Sequence, residues 1–297
     1  MQVLTQVLVL FLLMALGCGA ARGRLIGHET FQGINKLVLY FTLPCLSFVK
    51  LQQDYDPGRM GELGLTFLLA TAAMLFCGAI GLMLYRKQPK SRWPVFMHLI
   101  MFSNCGFMGY PIISAALGEG SIIYAVMYVA SFNLLTWTVG VYLYAGIQGV
   151  TLKSVLLNPT LLAVVAGILC FVGSVRLPTA ILSAMTMLGD TTTPLTMLVV
   201  GSHLSSLKVR DLKDWTLLGT CLLRLLLLPM LLLGIMTLLH VPEPVKATIF
   251  VCSAMPGAAV TAMQAEYFHG DSALGSRSVA VSTALSVLTI PAVLMLL

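Results

Sequence analysis

Residues 104–111 read NCGFMGYP and residues 254–258 read AMPGA, and both stretches lie inside long apolar segments. Proline removes a backbone donor and glycine releases backbone restraint, so a helix is expected to unwind at each stretch. In lipid, freed N–H and C=O groups cost several kcal/mol each unless protein, water or a ligand satisfies them. The two stretches therefore predict a membrane protein with helix breaks near the middle of the bilayer.

The composition excludes a water-soluble globule. Of the 297 residues, 58% are hydrophobic and 9% are charged, against roughly 25% charged residues in an average soluble domain. The apolar residues fall into stretches of about 20, the length that a membrane-crossing helix needs. The sequence thus predicts an all-α integral membrane protein with ten transmembrane helices. The predicted spans are 2–20, 33–51, 62–85, 94–117, 121–147, 154–174, 178–203, 213–239, 244–268 and 273–296.

The remaining residues leave no room for a soluble catalytic domain. The sequence contains no GxxxxGK[ST] loop and no HExxH motif, so an ATP-driven pump and an intramembrane zinc hydrolase are both disfavoured. The seven cysteines all lie in apolar stretches, without a CxxC pair. They indicate neither a disulfide framework nor a zinc site. We predict no enzyme activity, no cofactor and no metal.

The net charge of +6 is spread over short loops, which indicates membrane topology rather than nucleic-acid binding. If spans are numbered in order and each loop takes the number of the span before it, odd and even loops lie on opposite sides of the membrane. The odd-numbered loops hold twelve lysines and arginines, and the even-numbered loops hold four. The twelve are Arg22, Arg24, Lys36, Arg86, Lys87, Lys90, Arg92, Lys153, Lys208, Arg210, Lys213 and Arg277. The positive-inside rule places the odd loops in the cytoplasm and both termini outside.

A shift of 150 residues aligns the chain with itself. It pairs Pro44 with Pro194 and overlays spans one to five on spans six to ten. An odd number of crossings in each half means that the second half enters from the opposite face. Residues 1–150 and 151–297 are therefore predicted to form two inverted five-helix repeats.

Spans four and nine are symmetry partners, and both carry breaks. The candidate binding residues are Asn104, Gly106, Gly109 and Pro111 in span four and Pro256 and Gly257 in span nine. Each break exposes a half-helix N-terminus, whose free N–H groups and positive dipole attract anions. The alternative is that glycine and proline only kink these helices or help them pack. We favour the binding interpretation, with a carboxylate as the guest.

Other polar residues lie at depth and leave alternatives open. Arg224 in span eight is expected to form an ion pair with Asp190 or Glu266, or to contact substrate directly. Asp190 either caps a helix or serves a coupling cation. Gln264 and Glu266 follow the span-nine break, and Asn133 forms a hydrogen bond between helices or belongs to the site.

These motifs resemble a known family. They are Leu43-Pro44, Asn104-x-Gly106-x-x-Gly109-x-Pro111, Pro194-Leu195 with Gly201, Met255-Pro256-Gly257, and Ser282-Thr283 followed by Pro291. Together they resemble the auxin efflux carrier family, which includes PIN-type auxin transporters of plants and bacterial malate or malonate permeases. The resemblance covers nearly the whole chain, in the same order and spacing.

The resemblance implies a fold similar to that of bile-acid sodium symporters and NhaA-like antiporters, with helices four and nine crossing at their breaks. Helices 1, 2, 6 and 7 would form a scaffold, with Pro44 and Pro194 shaping its wall, and helices 3–5 and 8–10 a mobile transport domain. A homodimer follows by analogy only. The AMPGA stretch lacks the carboxylate that holds sodium in the bile-acid relatives, which weakens the case for sodium coupling.

We therefore expect a secondary transporter or facilitator in the cell membrane that moves a mono- or dicarboxylate by alternating access, coupled to protons in preference to sodium. Two other classes remain open. A cation/proton antiporter or sodium-coupled symporter on the same fold would need an ionisable carboxylate at the crossing. A non-transporting sensor would bind the ligand without flux.

Overall fold

The described residues form helices joined by turns, as predicted for an all-α protein. The computed structural model describes residues 2–205 and 213–296, so the loop residues Lys208 and Arg210 lie outside it. The first helices are α1 Gln2–Arg22, α2 His28–Leu37, α3 Leu43–Lys50, α4 Pro57–Tyr85, α5 Trp93–Met101, α6 Tyr110–Leu117, α7 Ile122–Leu135, α8 Val141–Ala145 and α9 Leu152–Leu156. The later ones are α10 Pro159–Val172, α11 Thr179–Asp190, α12 Thr192–Leu204, α13 Trp215–Leu222, α14 Leu228–Leu238, α15 Glu243–Ser253, α16 Val260–Tyr267 and α17 Ser272–Leu294.

Several predicted spans are interrupted rather than continuous. Within the described ranges, four helical stretches are long and apolar enough to cross a membrane: Pro57–Tyr85, Glu119–Ala145, Trp215–Leu238 and Ser272–Leu294. Shorter apolar helices cover Leu8–Arg22, Cys105–Leu117 and Pro159–Val172. The chain is thus a multi-pass helical membrane protein, and the count of ten spans and their inversion stay predictions.

Wide turns accompany three of the prolines. A π-helical turn ends two residues before the proline at Val38–Thr42 with Pro44, at Cys105–Gly109 with Pro111, and at Leu223–Leu227 with Pro229. A proline ring clashes with the carbonyl four residues before it, and its missing N–H breaks the regular ladder. The wider turn accommodates the ring without ending the helical path.

Helices α1 and α12 pack closely along their length, backbone against backbone. A Cβ on Gly17 would lie 2.2 Å from the Leu198 carbonyl oxygen, and one on Gly201 would lie 2.0 Å from that of Met14. Only glycine permits this approach, because the obstructing atoms are backbone atoms that cannot swing aside. Small residues at such contacts are the usual means of close helix packing in membranes.

We name two sets of helices the first and the second group, following the predicted scaffold and transport helices. In one, α1 packs on α12, while α3 packs on α10 and α11. In the other, α4 packs on α5 and α7, α14 on α15, and α16 on α17. The groups meet where α12 contacts α17 and the Cys105–Gly109 turn, and where α1 contacts α6.

Arg92 joins three segments at one end of the second group. Its guanidinium lies 3.2 Å from the Asp214 carboxylate and 3.9 Å from that of Asp271. Asp214 caps the start of α13 and Asp271 caps the start of α17, through hydrogen bonds from the backbone N–H groups of Leu217 and Leu274. The starts of α5, α13 and α17 are therefore tied together.

Candidate functional site

The two predicted breaks meet backbone to backbone, at a contact between residues 102–104 and 256–258 that we call the crossing. After α5 the chain is extended at Phe102, and Ser103 forms an antiparallel bridge with Gly257. The Asn104 N–H donates to the Pro256 carbonyl at 2.8 Å, and the Ala258 N–H donates to the Phe102 carbonyl at 3.1 Å. Each break thus satisfies part of the other, as burial of backbone away from water demands.

The second break depends on a glycine for space. A Cβ on Gly257 would lie 2.5 Å from Cδ1 of Leu99 and 3.2 Å from the Ser282 hydroxyl oxygen. That hydroxyl accepts a hydrogen bond from the Gly257 N–H at 3.0 Å. Ser282 in α17 therefore caps the open backbone, and a larger residue at 257 would displace both neighbours.

Polar groups at the crossing remain without partners. Asn104 is 5% exposed, and among residues 2–205 and 213–296 its Nδ2 has no hydrogen-bond acceptor and the buried Ser103 hydroxyl has no partner. Buried polar groups are normally hydrogen-bonded, so each exception calls for an explanation. The first residues of the Cys105–Gly109 turn follow directly, and their N–H groups begin a new helical segment. The crossing therefore contains buried hydrogen-bond donors that lack an acceptor within these ranges.

Arg224 lies fully buried behind the crossing. It is 1% exposed, and its Nη1 donates to the Ile100 carbonyl, near the end of α5, at 3.3 Å. The predicted ion pair is not formed, since neither Asp190 nor Glu266 lies within 4.0 Å of the guanidinium and both are exposed. Sequence spacing could not reveal this, because the tertiary contact is to a backbone carbonyl.

A cavity of about 270 Å³ opens between the two helix groups. Its walls come from α1, α3, α6, α11 and neighbouring residues, and its lining comprises Val9, Leu10, Leu46, Lys50, Tyr110, Pro111, Ser114, Ala115, Glu119, Ile122, Gly189, Asp190 and Thr193. Lys50 forms an ion pair with Glu119 across the mouth, from α3 to the turn after α6. Deeper in, the Ser47 and Tyr110 hydroxyls hydrogen-bond at 3.1 Å.

Comparison with known proteins identifies the family. Residues 2–149 and 143–294 match the family described as membrane transport protein. The chain belongs to that family. This confirms the resemblance to auxin efflux carriers inferred from the motifs.

Two proteins to which the chain is similar come from archaea. An uncharacterized transporter of Methanocaldococcus jannaschii is 24% identical over 294 residues, covering 96% of this chain and 95% of that protein. An uncharacterized transporter of Methanothermobacter thermautotrophicus is 27% identical over 301 residues, with coverages of 98% and 95%. The family and both names point to a transporter rather than an enzyme.

The remaining predicted residues of this transport-family chain are divided among several environments. Gly106 packs near the methyl groups of Leu43, and Gly109 near the Cys252 sulfur. Pro44 is buried, whereas Pro194 is exposed. Neither proline lines the cavity, although Pro111 does.

Asn133 and Gln264 both have structural partners. The Asn158 amide donates to Asn133 Oδ1 at 3.1 Å, joining α7 to the start of α10, and Asn133 Nδ2 donates to the Val129 carbonyl at 2.9 Å. Gln264 Nε2 donates to the Thr136 carbonyl at 3.1 Å. The hydrogen bond between helices, one of two alternatives for Asn133, is present.

The polar cavity residues Lys50, Ser114 and Glu119 were missed by sequence reasoning. Lys50 and Ser114 lie near the ends of predicted spans and Glu119 lies in the loop between two spans, where a charge or hydroxyl is ordinary. Only the packing of α3 against the segment after α6 brings them together. Ser114 also donates to Glu119, so this carboxylate is held from two sides. Tyr110 follows the glycines of the motif and carried no separate signal.

Proposed function

We propose that the protein is a secondary transporter or facilitator for small organic anions that carry one or two carboxylates. The observation that carries this is the crossing, where two broken segments bury spare donors beside a buried guanidinium. Among the described residues, the buried side chains include no aspartate or glutamate. A site rich in donors and poor in buried anions favours a negatively charged guest.

Alternating access would proceed by movement of one helix group against the other. We assign helices 1, 2, 6 and 7 of the predicted ten, α1–α3 and α10–α12, to a scaffold, and α4–α8 and α13–α17 to the mobile group, in two inverted repeats. The cavity between the groups supplies an approach to the crossing from one side. The Lys50–Glu119 ion pair and the Ser47–Tyr110 hydrogen bond span the groups, so both would have to break during the cycle.

We further propose a cell-membrane location with both termini outside, on the distribution of basic loop residues, and a homodimer by analogy with the family. Coupling to protons is favoured over sodium. A cation/proton antiporter is the main rival, and Asp190 in the cavity wall is the residue that could serve it. An Asp190→Asn variant that loses proton or sodium exchange but still binds anions would favour that rival.

Counterflow in reconstituted vesicles tests the proposal. Vesicles loaded with malonate, malate or indole-3-acetate are assayed for uptake of the labelled acid, with wild type, Asn104→Ala and the matched control Asn35→Ala. Asn35 is a partly buried asparagine of α2 that lies outside the crossing. We expect wild type and Asn35→Ala to exchange at least one acid, and Asn104→Ala to lose roughly tenfold or more of that exchange. The reason is that a hydrogen bond to a charged group contributes about 1.5–3 kcal/mol, and the variant removes its donor.

Two results would count against the proposal. Unchanged exchange of every acid in Asn104→Ala would remove the crossing from the pathway. Saturable binding by wild type without any exchange would indicate a sensor instead. Repeating the exchange under imposed proton or sodium gradients identifies the coupling ion.

A further inference from the structure

Arg224 carries a buried charge that lacks a counter-charge. Its side chain is 1% exposed, and no carboxylate of the described residues lies within 4.0 Å of it. Nη1 donates to the Ile100 carbonyl, while Nε and Nη2 have no hydrogen-bond partner in the described part of the chain. An uncompensated charge away from water is strongly unfavourable. The site therefore lacks an acceptor.

The pattern of used and unused nitrogens specifies the kind of acceptor. Nε and Nη2 lie along one edge of the planar guanidinium and present two parallel N–H groups, the arrangement that matches both oxygens of a carboxylate. Nη1 lies on the other side and is anchored to Ile100, which holds the group in place. We propose that the Nε–Nη2 edge of Arg224 binds a carboxylate of the transported anion, an inference that rests on the proposed function.

A neighbouring hydroxyl extends the same site. Ser103, at the bridge between the two breaks, is fully buried, and its hydroxyl has no partner among the described residues. It lies three residues after Ile100, whose carbonyl accepts from Arg224. This hydroxyl can donate to a lone pair that a bidentate arginine leaves free. A guanidinium and a hydroxyl with spare donors therefore meet the same short segment of the crossing.

Packed helices link the site to the cavity. Tyr110 lines the cavity at the start of α6, α6 packs on α15, and α15 packs on α14, which follows the turn that carries Arg224. The Cys105–Gly109 turn directly precedes Tyr110, and its backbone is not part of a long helix. In the proposed pathway, a ligand that enters from the cavity reaches the guanidinium when these segments shift.

A purely structural role makes a different prediction. Arg224 could serve only to hold the carbonyl end of α5, where a cation is favourable. Replacement would then change stability but leave the response to carboxylates intact. The two roles separate in a measurement of ligand-dependent stabilisation.

The experiment measures thermal unfolding of the purified full chain in detergent with sodium malonate, sodium acetate or sodium chloride at equal ionic strength. The variants are Arg224→Lys, Arg224→Gln and, as a charge-matched control, the exposed Arg86→Gln. We expect malonate to raise the Tm of wild type and Arg86→Gln equally. Apparent affinity should fall at least tenfold in Arg224→Gln, and by less in Arg224→Lys, which keeps the charge but loses the paired donors.

An equal malonate response in wild type and Arg224→Gln would overturn the inference. An Arg224-dependent shift with chloride but not with carboxylates would overturn it too. If Arg224→Gln does not fold, Arg224→Lys decides, since a wild-type affinity there contradicts bidentate binding. Counterflow separates the two levels: carboxylate exchange with an unchanged KM in the Arg224 variants refutes this site alone, whereas no exchange in wild type refutes the proposed function.

Discussion

The seam between α1 and α12 and the crossing of the two broken segments are both backbone-to-backbone contacts, and they are built in opposite ways. At the seam, Gly17 and Gly201 allow intact helices to touch, and the contact is apolar and filled. At the crossing, Ser103 and Gly257 pair as extended chain, and nearby donors stay unpartnered. The seam is stabilised by close packing, whereas the crossing contains buried polar groups that make no hydrogen bond to the described residues.

The difference indicates where each region should fail. A substitution in the seam should damage folding first, because it forces two backbones apart. A substitution in the crossing should damage transport more than folding, since the proposed site contains buried donors that contribute no hydrogen bond to the described fold. The following predictions test that contrast, from the largest expected effect to the smallest.

Gly17→Ala should break the seam. The added Cβ would lie 2.2 Å from the Leu198 carbonyl oxygen, and such overpacking costs about 1–3 kcal/mol or more. We expect a fall in Tm of roughly 5–10 °C, measured by thermal unfolding in detergent. Gly19→Ala in the same helix is the matched control, because nothing lies within 4 Å of its added Cβ. Equal Tm values for the two variants would show that the seam tolerates separation.

Gly257→Ala should disrupt the crossing with a smaller loss of stability. Its Cβ would meet the Leu99 side chain at 2.5 Å, and a side chain can move where a backbone cannot. We expect at least a tenfold loss of carboxylate counterflow. The free energy of unfolding should fall by only about 1–2 kcal/mol, measured as a decrease in Tm. Gly234→Ala in α14 has open space and serves as control. A variant that exchanges substrate at the wild-type rate would contradict the role of this break.

Tyr110→Phe should alter the boundary between the helix groups. It removes the 3.1 Å hydrogen bond to Ser47, a contribution of about 0.5–1.5 kcal/mol. Because this bond joins the two groups, we expect a changed exchange rate, by about three- to tenfold, with little change in Tm. Ser47→Ala should match it, and non-additive behaviour of the double variant would confirm the shared contact. Purely additive effects would mean that the two hydroxyls act separately.

Asn133→Ala should have the smallest effect. It removes the hydrogen bond from Asn158 at 3.1 Å, and such bonds between membrane helices average about 0.6 kcal/mol. We expect a Tm decrease of about 1–3 °C and unchanged affinity for carboxylates, measured by thermal unfolding with and without malonate. Loss of the malonate response would instead place Asn133 in the site, the alternative that the sequence left open.

The local chemistry of the breaks was predictable from sequence. Prolines and glycines act on the backbone at any position, so the stretches NCGFMGYP and AMPGA predicted the loss of regular helix that is present at both. The pairing of Ser103 with Gly257 required the tertiary fold, although internal symmetry placed both in partner spans. The π-helical turn between α2 and α3 was missed, because hydropathy averages over it.

The environment of single polar residues was less predictable. Arg224 was expected beside a carboxylate because charge pairing is the usual solution in membranes. Its partner is instead the Ile100 backbone carbonyl, and because every residue has a backbone carbonyl, the sequence does not indicate which one is used. Pro194 matched Pro44 by position, but one is exposed and the other buried. Spacing cannot specify which face of a helix a neighbouring group will cover.

The reciprocal bonds at the crossing also constrain motion. Asn104 donates to Pro256 while Ala258 donates to Phe102, so each segment holds the other by one donor and one acceptor. Neither segment can slide along the other unless both of these hydrogen bonds break. In the proposed alternating access, a solute bound at the crossing would therefore be displaced together with both segments. The contacts that change would be those with the proposed scaffold, α1–α3 and α10–α12.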